Sequence, residues 1–208
     1  PRLTATVVYN GYVWKDRNDK GEYVTKGTIN VTSGNDKAGT DNGSPTGFYT
    51  RKYFDTTHGK NLEMWTNIIM MRYADVLLMK AEAYVMRGAE GDSDAAYAII
   101  RQIRERAGYT MHPDMPDNQS EAIDLVLDER LRELCFEGKR WFDLVRVAVR
   151  NDGQYKNKLV SLLLQNVAAK DRPLYQAKLQ NTYGYYLPIN ESDMIASGGV
   201  LVQNPYYL

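Results

Sequence analysis

The chain has 208 residues, enough for one domain with a substantial core or for part of a larger protein. Apolar residues make up 43% of it, which places it among globular rather than disordered chains. Its 26 Lys and Arg balance 26 Asp and Glu, so no basic excess points to a nucleic acid or an anionic membrane surface.

Tyrosine is over-used, at 16 copies against 4 Phe. Its ring pairs an apolar face with a polar tip, which suits wet recognition surfaces, although half-buried packing accounts for most of these residues. The single Cys135 excludes an intramolecular disulfide, and its apolar-periodic surroundings predict a buried free thiol. No run is long and apolar enough to span a membrane; the best candidate, Ile68 to Met86, carries Arg72, Asp75, Lys80 and Glu82. The sequence opens at Pro1-Arg2-Leu3 without a methionine, so the expectation is that the natural N-terminus and any targeting signal lie upstream.

Residues 1–66 read as loop-rich sequence with short strands. Leu3 to Tyr9 is β-prone, and Tyr12-Val13-Trp14 follows a turn at Asn10-Gly11. Asp16 to Gly47 is so rich in Gly, Asn, Asp, Ser and Thr that it reads as a surface excursion. Trp65, just before the first long helix, is expected to be buried. Residues 67–150 form the helical core. Tyr73, Leu77, Ala81 and Tyr84 recur at helical spacing until Gly88 and Gly91. Asp92-Ser93-Asp94 offer N-caps for a second helix, with Ala96, Ile99, Ile103 and Ala107 inward and Gly108 as its stop. The spacing predicts an antiparallel hairpin of Ile68–Gly88 and Asp94–Gly108.

Asn118 and Glu121 make a capping pair for a third helix, with Ile123, Leu127, Leu131 and Leu134 inward. Trp141, Leu144, Val145 and Ala148 suggest a short fourth helix after Gly138. Residues 151–208 read as a loop-rich C-terminal segment in which Leu159 to Leu164 could be helix or strand. The fold class expected is mainly α, with tetratricopeptide-like helical hairpins, long irregular loops and a few short strands.

Three segments carry a resemblance. They are Met71 to Ala83 (MRYADVLLMKAEA), Asp128 to Arg146 (DERLRELCFEGKRWFDLVR), and Leu187-Pro188-Ile189 followed by Gln203 to Tyr207. In this order the chain resembles the C-terminal half of the SusD/RagB family of outer-membrane nutrient-binding lipoproteins. Pro1-Arg2-Leu3 and Gly47 to Tyr53 look like family segments too. The resemblance implies a non-catalytic protein of Bacteroidetes-type bacteria, lipid-anchored on the outward face of the outer membrane. It implies that an oligosaccharide or polysaccharide is handed to a SusC-like TonB-dependent transporter. It also implies that an N-terminal half carrying the lipidated cysteine is missing here, and that Cys135 is not that cysteine. At Gln203 to Tyr207 the chain departs from the family, which usually has glycine before the last tyrosine.

Two sets of residues invite a functional reading. Arg130, Glu133, Glu137, Arg140, Asp143 and Arg146 crowd around Gly138. A glycosidase needs two carboxylates facing each other across a bond, whereas Glu133 and Glu137 stack on one helix face. These six residues are therefore expected to form a structural ion network, with no catalytic residue among them. No Gly-rich phosphate loop, metal-ligand cluster or His-containing triad is present (His58 and His112 both lie in loop-like sequence), so no metal and no cofactor is expected. The second set is Tyr9, Tyr12, Trp14 and Tyr23, interleaved with Lys15, Asp16, Arg17 and Asn18. Flat rings beside hydrogen-bonding groups are what a sugar requires. These four residues are the candidate carbohydrate-binding set, with Trp14 first. Two other classes of function stay open: a helical scaffold that binds only protein partners, and a glycoside hydrolase.

Overall fold

The computed structural model describes residues 2–18, 20–29, 32–33, 43–44, 47–54, 66–112, 114–150, 156–165, 167–181 and 183–207. His58 and Trp65 lie outside them. The chain forms two compact units, residues 1–139 and 140–208. The expected fold class is found: among the described residues helices dominate and the strands pair in twos.

The first unit opens with a short helix, α1 (Arg2–Thr6), where β-prone sequence had predicted a strand. Tertiary bonds override that propensity. Arg2 Nη1 donates to Glu129 Oε1 at 2.9 Å, and Tyr12 Oη donates to the Thr4 carbonyl at 2.9 Å. Among the described residues six strands follow: β1 (Val7–Tyr9), β2 (Tyr12–Arg17), β3 (Tyr23–Ile29), β4 (Thr32–Ser33), β5 (Gly43–Ser44) and β6 (Phe48–Thr50). They pair as β1–β6 and β2–β3, both antiparallel, and β4–β5, parallel.

The turn at Asn10-Gly11 is real, but it does not close a hairpin of β1 on β2. Gly11, at φ 81°, donates its N–H to Ile29 O at 2.9 Å and so passes the chain from one sheet to the next. The hairpin is instead β2–β3, inside the stretch read as a polar excursion. Asn18 Oδ1 closes its loop by accepting the N–H groups of Lys20 and Glu22, each at 3.0 Å.

The helical hairpin is α2 (Tyr73–Arg87) and α3 (Asp92–Arg106), which pack together, with α4 (Gln119–Glu133) packed chiefly on α2. Gly88 ends α2 in the left-handed conformation, at φ 64°, and its N–H bonds Tyr84 O. The inward face of α2 differs from the expected one. Asp75, Leu78, Ala81, Glu82 and Val85 are buried, whereas Tyr73 is 72% exposed. On α4 the interior takes Glu129, Arg130 and Glu133 beside Ile123, Val126 and Leu127, and Leu131 faces out. Asn118 caps α4 as expected, accepting from Ser120 N–H at 2.8 Å. For α3 the cap is the backbone at Gly91. Asp92, expected to cap, lies inside the first turn and takes Arg87 Nε at 2.8 Å and Ala89 N–H at 2.9 Å.

The second unit contains α5 (Arg140–Val149), α6 (Lys156–Leu164), α7 (Arg172–Gln180), α8 (Glu191–Ala196) and a 3-10 turn at Pro205–Tyr207. Leu144, Ala148, Leu159, Val160, Leu179 and Tyr185 form its core. Gly184 sits so close to α7 that a Cβ there would lie 1.8 Å from Lys178 O. The tail is fastened by a reciprocal pair of bonds: Ile189 N–H to Gln203 Oε1 and Gln203 Nε2 to Ile189 O, each 2.9 Å. Tyr206 packs edge-on against Tyr207 with centroids 5.0 Å apart. No helix among the described residues is long and apolar enough to cross a membrane.

Candidate functional site

The β1–β6 and β2–β3 sheets of the first unit wall a cleft of about 820 Å³. Trp14 and Asp16 reach it from β2, Lys26 to Ile29 from β3, Val8 from β1, and Tyr49 and Thr50 from β6, with Phe54 beyond. Strand pairing explains the shape. Trp14 lies opposite Gly27, which has no side chain to lay across the indole, and the register slips just after that pair. Val8 and Tyr12 are buried together beneath it, with Tyr9, Trp14 and Ile29 packed against them.

The wall is aromatic and pinned. The Trp14 and Phe54 rings meet edge to face, with centroids 5.1 Å apart at 89°. The Arg51 guanidinium lies over the Trp14 ring at 4.7 Å, and its Nη1 donates to Phe54 O at 3.0 Å. Of the four candidate sugar-binding residues, Trp14 alone lines this cleft, half-buried. Tyr12 is only 8% exposed, with its hydroxyl on Thr4 O, and offers no open ring face. Tyr9 packs edge-on against Tyr12, with centroids 5.7 Å apart. Tyr23 is 67% exposed but pairs with Arg17 at the far end of the hairpin. Sequence reasoning missed Tyr49 and Phe54, whose presence here depends on the β1–β6 pairing. The only local signal for them was the aromatic run Phe48-Tyr49-…-Tyr53-Phe54.

The second candidate set divides between the two units. In the first, Arg72 from the start of α2 reaches Glu133 at the end of α4 and Glu137 in the turn beyond it, so the two carboxylates do not stack on one helix as expected. Its Nε donates to Glu137 Oε2 at 2.9 Å, Nη1 to Glu133 Oε1 at 2.6 Å and Nη2 to Glu133 O at 2.7 Å. Arg106 also pairs with Glu133, and Lys52 with Glu137. Lys52 Nζ further donates to Glu133 O at 3.0 Å and Cys135 O at 3.1 Å, so it caps the exposed carbonyls at the end of α4. Glu129, fully buried, takes Arg2 at 2.9 Å and Arg104 at 2.7 Å. Asp75 takes Arg130 at 2.9 Å and Lys139 at 3.3 Å.

In the second unit Asp143 pairs with Arg146 at 3.2 Å, three residues on along α5, and Arg140 begins that helix. The partners of Glu133 and Glu137 thus include Arg2, Lys52, Arg72 and Arg106, drawn from far along the chain.

Burial pushes the Glu137 carboxyl up, but the hydrogen bonds from Arg72 and Lys52 outweigh it and hold it below the usual carboxylate range. That is the direction opposite to what a general acid needs. Burial also raises the Cys135 thiol, which is half-buried rather than enclosed. Among the described residues no group of His, Cys, Asp and Glu could hold a metal ion.

A packed helical hairpin, short paired strands and an aromatic-walled cleft define a mainly α protein. Comparison with known proteins sharpens that class. The SusD family model matches residues 1–207, and the chain belongs to the SusD family. The SusD-like protein P2 of Formosa agariphila is 30% identical over 162 residues, covering 75% of this chain and 29% of that protein. The SusD-like protein P38 of the same organism is 42% identical over 88 residues, covering 39% and 17%. A solved SusD-like protein from Bacteroides fragilis shares the fold with a TM-score of 0.65 at 23% identity, covering 99% of this chain and 38% of that one. Surface glycan-binding protein A from Bacteroides thetaiotaomicron superposes with a TM-score of 0.56 at 26% identity, covering 90% and 33%. The chain therefore spans well under half the length of these relatives.

Proposed function

We propose that this protein is a non-catalytic surface glycan-binding protein that delivers an oligosaccharide or polysaccharide to a SusC-like TonB-dependent transporter. It works from the outward face of the outer membrane, held there by a lipid anchor. Family membership supports the class, and the likeness to surface glycan-binding protein A of Bacteroides thetaiotaomicron supports the ligand.

The observation that carries the reading is the cleft: Trp14, Phe54 and Tyr49 supply ring surface, and Asp16, Lys26, Thr28 and Thr50 supply polar groups beside it. Pyranose rings need that mixture, C–H faces on aromatic rings and hydroxyls on polar groups. Tyr23 stands apart as a peripheral contact for a longer chain. Lack of catalysis rests on Glu133 and Glu137. Both are buried in ion pairs, and Arg72 bridges them, leaving no space for a glycosidic bond between them. The test is a glycan array with the protein, followed by incubation with its best ligand. Binding without turnover is the expected result; steady hydrolysis contradicts it.

One observation favours a second reading, a scaffold that binds only proteins. Ile68, Met70, Met71 and Tyr73 form an exposed apolar strip before and into α2, with Ile68 81% and Met70 79% exposed. An array with no glycan bound, beside capture of the purified transporter, would select that reading.

A further inference from the structure

We infer that Arg51 is a positioning residue for the aromatic wall of the cleft, and that Lys52 holds it in register with the helical core. The inference rests on the glycan reading above for its functional meaning, but its structural content stands on separate observations.

Arg51 and Lys52 are consecutive, and their side chains serve different parts of the first unit. Arg51 continues the β1–β6 pairing through its N–H, which donates to Thr6 O at 2.9 Å. Its guanidinium lies over the Trp14 ring at 4.7 Å and within 6.0 Å of the Phe54 ring centre, and it bonds the Phe54 carbonyl. One planar cation thus fixes the orientation of the indole and the position of the neighbouring ring. The Arg51 fork suits this task where a lysine point charge does not.

Lys52 reaches the other way. It donates to two carbonyls at the end of α4 and pairs with Glu137, which Arg72 holds in turn. The segment after β6 is therefore fastened to the buried ion network at one residue and to the cleft wall at the next. A free indole would lose rotamer freedom on stacking against a sugar, and an indole already held has less to lose. Arg51 touches the wall residues, so its contribution comes through Trp14 and Phe54, and Lys52 acts one step further back. This also gives the buried charge cluster a role beyond stability: it sets where the recognition surface stands.

The test has a ligand-free arm and a ligand arm. In the first, the indole N–H resonances of the protein are followed by NMR, with Trp14→Phe used to assign the Trp14 signal. Arg51→Gln and Lys52→Met should each move that signal while leaving the Trp141 signal in place. Lys52→Arg, which keeps charge and donors, should restore it. In the second arm, affinity for the best array ligand is measured for Arg51→Gln alone and in a Trp14→Ala background. Arg51→Gln alone should weaken binding by roughly three- to tenfold. The loss should vanish in the Trp14→Ala background, because the two act as a unit.

A Trp14 signal unmoved in both variants overturns the inference whether or not a glycan binds. Additive losses in the cycle overturn it too, and would place Arg51 in direct contact with the ligand. If no array glycan binds the wild type while the Trp14 signal moves as expected, the glycan reading fails and the positioning role of Arg51 stands.

Discussion

The two units of this chain solve the problem of an interior in different ways. The second unit fills most of its core with Leu144, Ala148, Leu159, Val160, Leu179 and Tyr185, and also buries the Asp143 carboxylate on α5. The first buries Glu129, Arg130, Glu133, Asp75 and Arg104 among its aliphatic residues. Ion pairs of this kind add little net stability over well-packed apolar groups, because both charges leave water. Their value lies in direction. A buried carboxylate accepts only where its donors stand, so Glu133 and Glu137 fix the start of α2, the end of α4 and the Lys52 segment in one geometry. Apolar packing is non-directional, whereas the first unit adds this directional network, and the first unit carries the cleft.

That contrast can be broken experimentally. The largest effect is expected in the first unit. Glu129→Ala leaves the Arg2 and Arg104 guanidinium groups without their buried partner and should cost about 3–5 kcal/mol. Urea unfolding checks this, and a cost below about 1 kcal/mol would mean that water already screens the site. In the second unit Leu159→Ala, at a fully buried position, should cost about 2–4 kcal/mol through lost burial and a cavity. Glycan affinity should survive Leu159→Ala and fall with Glu129→Ala; equal losses in the two variants would erase the distinction between the units.

The ion network also makes stability depend on pH in a defined direction. The Glu137 carboxyl titrates lower in the folded state than in the unfolded chain, where its value is about 4.3. Its contribution is therefore complete above that unfolded value and is lost as pH falls through the depressed folded one. Thermal melts should be flat from neutrality to about pH 5 and decline below about pH 4. Glu137→Gln should flatten part of that decline, and an unchanged acid slope in the variant would contradict the assignment. A smaller effect is expected at the surface: Asn118→Ala removes the cap of α4 and should cost about 1 kcal/mol in the same unfolding assay.

Much of the helical architecture was legible in the sequence. Gly88 as the end of α2, Asn118 as the cap of α4 and the pairing of α2 with α3 all follow from local chemistry. The faces were less legible. Tyr73-Leu77-Ala81-Tyr84 looks like the inner stripe of α2 because Asp75 and Glu82 look like solvent-facing residues. Their burial beside Leu78 and Val85 rotates the true interior away from the apolar pattern. Leu131 on α4 was misplaced for the same reason, since Glu129, Arg130 and Glu133 occupy the interior.

Helix α7 was missed because its apolar residues form no inward stripe: Leu174 and Tyr175 are exposed and Leu179 is buried. The candidate site was legible at Trp14, where a tryptophan sits among hydrogen-bonding groups. Its neighbours were not. Tyr49 and Phe54 reach the cleft through long-range pairing of β6, and Arg2 meets Glu129 across 127 positions of sequence. No periodicity reports contacts of that range.

The central claim is that the Trp14 wall of the first unit binds a glycan, and calorimetric titration of wild type and Trp14→Ala with the best array ligand tests it most directly. The account predicts a folded variant whose affinity is weaker by about tenfold or more, matching one ring-stacking contact of roughly 1–3 kcal/mol. Equal affinities for the two proteins would contradict it and remove the cleft from the binding surface.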